Sequence, residues 1–455
     1  MIQRITTLIR RTFFEGTPRS IQAKQNILGL FLLRGVSTCI NFVLVPLTLA
    51  YLSPTRFGIW MTLNSIMAWV MWLDIGLGNG LRNRFAVALA NNDRELARSY
   101  VSTTYVFVGL ISAGLFLLFL LAQPLLSWSA ILNVPPAMNE ELSRLACVVF
   151  MFFCIRLVAA LIGTILIADQ QPAFSSLFDV LISALSLAAI FVLTSVLPGS
   201  LFWLGACMSG AMVLVPIAGN VWLFRGRYRE FSPSLRYVRV AHARGLIHIG
   251  AQFFFLQIAG LVLFTGSNII ITQLFGPDDV TQYNIAFKYF GLPAGIFTVV
   301  LTPFWSAYTE AYARGDFSWI LRTFGKLKRT MIWFTVAVVI MVAVADKAYA
   351  LWIGHAVQVP FSLSAAMGAY VVIVAWSSIF SYFINGTGKI RLQLLVAIPT
   401  SLAMVPLAVL LAGPAGLRST GVVLAICIVL LPGTVLWPMQ TRRLLSKRAT
   451  GVWSQ

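Results

Sequence analysis

The stretch Leu73-Asp-Ile-Gly-Leu-Gly-Asn-Gly-Leu-Arg-Asn-Arg-Phe-Ala-Val-Ala-Leu-Ala-Asn-Asn-Asp-Arg-Glu-Leu-Ala-Arg-Ser-Tyr-Val-Ser-Thr-Thr-Tyr105 decides the fold. It carries a lone carboxylate, Asp74, out of an apolar run and through Gly76, Gly78 and Gly80 into a basic segment. It then re-enters an apolar run at Tyr100. This is the pattern of a membrane span leaving the bilayer, an interfacial helix, and the next span going back in. Leu81, Phe85 and Leu89 recur every four residues, so one face of the middle piece is apolar while Arg82 and Arg84 lie off it. Asn92 and Glu95 fit a capping box for the helix that follows.

Outward from this stretch, apolar runs of about 20 residues recur along the whole chain, each sufficient to cross a hydrocarbon core roughly 30 Å thick. Twelve are expected, near residues 27–50, 57–79, 100–122, 142–168, 174–197, 201–224, 249–275, 283–308, 330–352, 363–385, 392–412 and 420–440. The composition agrees: 59% of residues are hydrophobic, only 10% are charged, and the mean hydropathy is +0.87. Soluble domains carry about a quarter of charged residues. Backbone groups in lipid must be satisfied within each segment, and runs this long suit helices rather than barrel strands, so the fold class is all-α integral membrane.

The net charge of +19 raises the question of a nucleic-acid partner, which its distribution answers. With the N-terminus placed in the cytoplasm, alternate loops hold 26 of the 33 Lys and Arg residues, and the opposite loops hold only Arg56 and Arg418. That asymmetry is the positive-inside rule, so the basicity sets topology, both termini are expected in the cytoplasm, and no nucleic acid is implied. No cleavable signal peptide is expected, because the first apolar run starts late, is long, and lacks a small-residue cleavage site. Cys39, Cys147, Cys154, Cys207 and Cys427 all fall within expected spans, which suits apolar packing rather than disulfides or metal ligation. His242, His248 and His355 have no metal-ligand spacing, so neither a metal nor a cofactor is expected.

Residues 1–26 are basic with Ile2, Ile5 and Ile9 interspersed, which fits either a short helix on an anionic leaflet or a plain positive anchor. The longest external connection, residues 123–141, contains Pro135 and Pro136 and ends on Glu140 and Glu141. The largest composition shift is the basic segment 225–245, read as a cytoplasmic linker between an N-lobe at 27–224 and a C-lobe at 246–440, with a basic tail at 441–455. An internal repeat supports the division: Pro54 precedes Pro277 by 223 positions, and Asp93 precedes Asp316 by the same 223. Each half then reads as span, Pro turn, span, interfacial helix with an Asp cap, span. Six spans per half is even, so the halves share one orientation, the parallel-repeat arrangement found among transporters.

The Leu-Asp-Ile-Gly-Leu-Gly-Asn-Gly-Leu-Arg-Asn segment, with Ala-Asn-Asn-Asp and Tyr-Val-Ser-Thr-Thr-Tyr after it, resembles the Wzx-type O-antigen and exopolysaccharide flippases. These belong to the multidrug, oligosaccharidyl-lipid and polysaccharide (MOP) exporter superfamily. The resemblance covers the chain in span count and two-lobed repeat, and its specific wording lies in residues 73–105. It implies a V-shaped, MATE-like bundle of two six-helix lobes in the bacterial inner membrane. Its implied substrate is an undecaprenyl-pyrophosphate-linked glycan moved from the cytoplasmic to the periplasmic leaflet. The partners it suggests are membrane lipid, a polysaccharide polymerase and a chain-length regulator, with the chain itself a monomer.

Such a substrate needs cations and hydrogen-bond donors at bilayer depth, while its polyprenyl tail stays in lipid. Arg34 lies about 10 Å into the first span at 1.5 Å per residue, Arg156 near the middle of the fourth, and Lys288 a few residues in from one end of the eighth. In-membrane cations usually face a bundle interior or a watery cavity, so these three are the expected substrate-binding groups. Two readings stay open: a cationic path, or structural ion pairs of Arg34 with Asp74 and Arg156 with Asp179. Asp74 and Asp179 also offer themselves as ion-coupling carboxylates. Arg144 and Lys347, near span ends, read as interface anchors. Trp60, Trp69, Trp72, Tyr289 and Trp305 are placed to stack on sugars, against the alternative of an interfacial belt. Gly291 to Gly295, Thr302-Pro303 and Pro432-Gly433 are candidate bends.

The expected function is therefore non-enzymatic translocation of lipid-linked oligosaccharide by alternating access. A multidrug cation exporter of the same superfamily fits less well, because an interior richer in Arg and Lys than in carboxylates repels cations. A membrane polymerase or ligase would need acid, base or cationic groups on a sizeable external loop, and the external loops are short and almost free of His and Arg.

Overall fold

In a computed structural model of the chain, the described residues are 18–70, 77–169, 171–240 and 266–454, and they are helical with no strand among them. The helices are α1 (Pro18–Tyr51), α2 (Pro54–Val70), α3 (Leu77–Ala90), α4 (Arg94–Ala122), α5 (Asn139–Ala159), α6 (Leu161–Ala168), α7 (Pro172–Val196) and α8 (Leu201–Arg225). They continue as α9 (Ser267–Phe275), α10 (Pro277–Ala313), α11 (Phe317–Ala343), α12 (Ala345–Ile353), α13 (Phe361–Thr387), α14 (Arg391–Ala412) and α15 (Arg418–Leu445). Nine helical segments among the described residues are long and apolar enough to cross a membrane, and a tenth is made by α11 and α12 together, bent by 66°. The other two of the twelve expected spans run into residues 71–76 and 241–265, outside the described residues. Asp74, Trp72, His242, His248 and residues 1–17 of the expected N-terminal segment 1–26 lie there too, as does the side chain of Trp69, while residues 18–26 begin α1.

The chain divides into two compact units, one drawn from residues 1–51, 67–128 and 137–255, the other from 52–66, 129–136 and 256–455. In the first unit, α3 buries the face read from its spacing: Leu81 and Phe85 are fully buried, Phe85 meeting the Phe231 ring edge-on at 5.3 Å, while Arg82 and Arg84 are exposed. The helix therefore packs on protein as well as facing outward. The capping box reading needs correction. Asn92 takes the left-handed conformation (φ 55°) that ends α3, and the cap of α4 is Asp93, whose carboxylate accepts from Leu96 N at 2.9 Å. Two cap-type residues stand side by side, and only the one with non-helical backbone outside αL can aim its oxygen at the first turn. Asp316 caps α11 in the same way, accepting from Trp319 N at 3.0 Å, so the 223-residue repeat places equivalent caps.

The segment after α8 is stitched along α4. Ser99 donates to Tyr237 O (2.8 Å), Ser102 accepts from Ser234 N (3.1 Å) and Thr103 from Arg239 N (3.0 Å). The run Ser-Tyr-Val-Ser-Thr-Thr of α4 thus supplies hydrogen bonds to an irregular segment that has no ladder of its own.

In the second unit, the first residues of α2 dock on α9 and α10 through a polar seam. Thr55 donates to Asp278 (2.7 Å), Thr281 to Pro54 O (2.7 Å), the Thr62 and Thr272 hydroxyls pair at 2.6 Å, and Asn284 and Asn268 relay to Ser65 at 3.0 and 2.7 Å. Gly58 allows the approach, since a Cβ there would sit 1.8 Å from Pro277 O. Asp279, almost fully buried at the start of α10, takes a two-pronged ion pair from Arg418.

Proline is compensated in α15. Pro438 has no N–H to offer Thr434 O, four residues earlier, and that carbonyl accepts instead from the Trp376 indole of α13 at 3.0 Å. Trp376→Phe is therefore expected to cost about 1 to 3 kcal/mol by stranding a half-buried acceptor in a membrane-spanning helix. Thermal unfolding in detergent measures this, and a variant as stable as wild type would show that the carbonyl has another partner. The candidate bends at Gly291–Gly295 and Thr302-Pro303 both lie inside α10, which is assigned as one helix of 37 residues.

Candidate functional site

The first unit brings Arg34, Arg156 and Asp179 together from three helices. α1 packs on α7, α7 on α8, and α8 on α5. Between α1 and α7 the docking is polar: Ser37 and Ser183 pair at 3.1 Å, and Asn41 donates to Ser183 at 3.0 Å and to Ser37 O at 2.8 Å. Arg34 stands one turn N-terminal to Ser37, and Asp179 one turn N-terminal to Ser183, so the same contact that clamps the helices brings cation and carboxylate to matching positions. Both side chains are exposed.

Arg156 reaches the cluster from α5. That helix breaks at Ala160, where Gly163 N turns to Ala160 O (3.0 Å) and leaves Ala159 O to the Asn220 amide at 2.7 Å. Asn220 in turn accepts from Tyr105 at 2.6 Å. These bonds fix the last turn of α5, which carries Arg156. Its guanidinium is partly buried, and its one hydrogen bond among the described residues goes to the Met212 thioether, at 3.0 Å. A thioether is a weak acceptor for a group with five N–H donors. Asp179 lies within electrostatic reach of both Arg156 and Arg34, yet no ion pair joins them among the described residues. The cluster carries two positive charges against one negative, with donors left over, and suits a compact anion bearing several oxygens.

The second unit holds the other expected residues. Lys288 is partly buried on α10, one turn beyond Asn284 of the polar seam, and no carboxylate pairs with it among the described residues. Trp60 is buried, and Tyr289 is enclosed between Phe290 and Tyr349, with ring centroids at 5.0 and 5.1 Å. Trp305 is exposed, with Tyr382 edge-on to it at 5.7 Å. Arg144 pairs with Glu140 one turn away on an exposed face, and Lys347 is exposed.

Ser37, Asn41, Ser183 and Met212 were not singled out from the sequence. A signal was present: Arg34, Ser37 and Asn41 recur at helical spacing in an otherwise apolar span, as do Asp179, Ser183 and Ser186. Each stripe alone reads as tolerated small polar residues, and only their pairing gives them a role.

Residues 23–307 match a family described as polysaccharide biosynthesis protein. Among curated proteins, the chain is 24% identical to a putative O-antigen export protein of Yersinia pseudotuberculosis over 80% of this chain and 83% of that one. It is 20% identical to a putative O-antigen transporter of Salmonella typhimurium over 58% and 59%. Among solved structures, it superposes with a TM-score of 0.77 on a multidrug resistance MATE family transporter of the MOP superfamily in an inward-facing conformation. That match covers 91% of this chain and 96% of that one at 17% identity, and it shows a shared MATE-like all-α membrane fold.

Proposed function

We infer the function from the premise that this chain belongs to the polysaccharide biosynthesis protein family: it moves a polyprenyl-diphosphate-linked oligosaccharide from the cytoplasmic to the periplasmic leaflet by alternating access. The observation that carries this reading is the Arg156 guanidinium, held in a membrane-spanning helix with a thioether as its one hydrogen-bond partner among the described residues, and sharing with Arg34 the electrostatic reach of a single carboxylate, Asp179. Such a cation is costly in a span unless an anion or water-filled space receives it. A diphosphate supplies the missing acceptors, with the polyprenyl tail left in lipid. The names of the O-antigen relatives support an O-antigen-type glycan.

The reading extends to Lys288 as a further cationic contact and to Trp305 as a sugar-stacking ring. It places the protein in the bacterial inner membrane with both termini cytoplasmic, acting as a monomer beside a polymerase and a chain-length regulator. A multidrug cation substrate is opposed by the net positive cluster. No bond is made or broken, so the test is direct. Purified protein in liposomes should move a labelled lipid-linked oligosaccharide between leaflets without changing its mass. Chain elongation, or release of free polyprenyl diphosphate, would assign an enzyme instead, and no movement over protein-free liposomes would sink the reading.

A further inference from the structure

Resting on that reading of the Arg34 and Arg156 cluster, we propose that Asp179 is a built-in stand-in for the substrate's diphosphate, holding affinity down so that the headgroup can leave. Two ion pairs elsewhere in the chain are closed by more than one donor. Arg418 grips a nearly buried Asp279 with two nitrogens, and Asp169 takes both Arg227 (3.2 Å) and the Tyr228 hydroxyl (2.6 Å). Asp179 is built differently. Its backbone carbonyl is tied to Ser183 at 2.8 Å, and Ser183 is tied to Ser37 and Asn41 of α1, so its position is fixed while its exposed carboxylate makes no ion pair among the described residues. The Ser37–Ser183 clamp sets it level with Arg34, one turn away on either helix, and it lies within electrostatic reach of Arg156 as well, with no ion pair to either among the described residues.

Its charge then has two effects. It offsets the mutual repulsion of the two arginines when no anion is bound. Once a diphosphate arrives, the carboxylate competes for the same cations and repels the newcomer. Tight binding alone does not raise throughput, because a transporter must also release. Asp179 thereby favours turnover over occupancy.

The test uses the full chain in phosphatidylcholine nanodiscs, titrated with inorganic pyrophosphate by calorimetry, alongside the liposome flipping assay. Asp179→Asn should bind pyrophosphate on the order of tenfold more tightly, as removal of one nearby like charge predicts, and should flip labelled lipid-linked oligosaccharide several-fold more slowly. Asp179→Glu should stay near wild type in both. Binding by Asp179→Asn that is unchanged or weaker is what a carboxylate merely holding the arginines in place would give, and it would overturn the inference. If wild type binds pyrophosphate, the Arg34→Gln/Arg156→Gln double variant loses it, and Asp179→Asn is unchanged, only this inference falls. If wild type binds none, the cationic site of the proposed function falls and this goes with it. Should Asp179→Asn not reach the membrane, Asp179→Ser takes its place. Loss of both neutral variants with Asp179→Glu retained would make the residue structural and refute the stand-in role.

Discussion

Charge reversal of Arg156, as Arg156→Glu, is expected to lower surface polysaccharide by about a hundredfold, the scale of losing one partner of a desolvated charge contact, while membrane abundance stays at the wild-type level. The second half of that expectation follows from the partner. Because the guanidinium donates only to the Met212 thioether among the described residues, its removal strands no strong acceptor, so loss of the guanidinium itself costs folding little. The first half follows from the neighbours. A glutamate at position 156 beside Asp179 turns a cluster with net positive charge into one that repels a diphosphate. Arg34→Glu should act in the same direction. Immunoblotting of membranes together with surface-polysaccharide staining checks both, and full complementation by both variants would remove the cationic cluster from the transport path.

Gly58→Val is expected to cost at least about 3 kcal/mol, the upper range for overpacking a tight contact, and to deplete folded protein from the membrane. The obstacle is backbone on backbone: the added Cβ would meet Pro277 O at 1.8 Å and Pro277 C at 2.6 Å, with no flexible side chain to give way. Gly114, on α4, has nothing within 4 Å of the same construction, so Gly114→Ala is the control. A helix interior gains up to about 1 kcal/mol from that exchange. Thermal unfolding of the two variants in detergent should move in opposite directions. Equal stability of Gly58→Val and wild type would mean that α2 does not dock on α10 in this way.

Much of the architecture was legible because lipid leaves a chain few choices. Apolar run lengths and the Lys and Arg asymmetry led to an all-helical bundle, and the positions of Pro54, Pro277, Asp93 and Asp316 marked helix starts that the structure contains. The adjacent pair Asn92 and Asp93 was misread because both types cap helices, and the choice depends on a backbone angle that composition does not carry. Arg34, Arg156 and Asp179 stood out as charges in apolar runs, and Arg156 with Asp179 was one of the pairings left open, but that Arg34 shares Asp179 could not be read from sequence, since no spacing rule relates three separate helices. The seam of Thr62, Ser65, Asn268, Thr272 and Asn284 was hidden for the same reason. The aromatic residues were chosen by depth alone, which does not distinguish an exposed ring such as Trp305 from an enclosed one such as Trp60.

The indole of Trp376 and the carbonyl it rescues beside Pro438 set a mechanical rule for the helices that carry them. α13 and α15 cannot slip past each other by a turn without leaving an oxygen bare in a solvent that offers it nothing. With the Ser362–Thr420 hydroxyl pair at 3.2 Å nearer the other end of the same two rods, they are pinned at separated points along their length, and any tilt imposed on one is transmitted to the other as though they were a single lever.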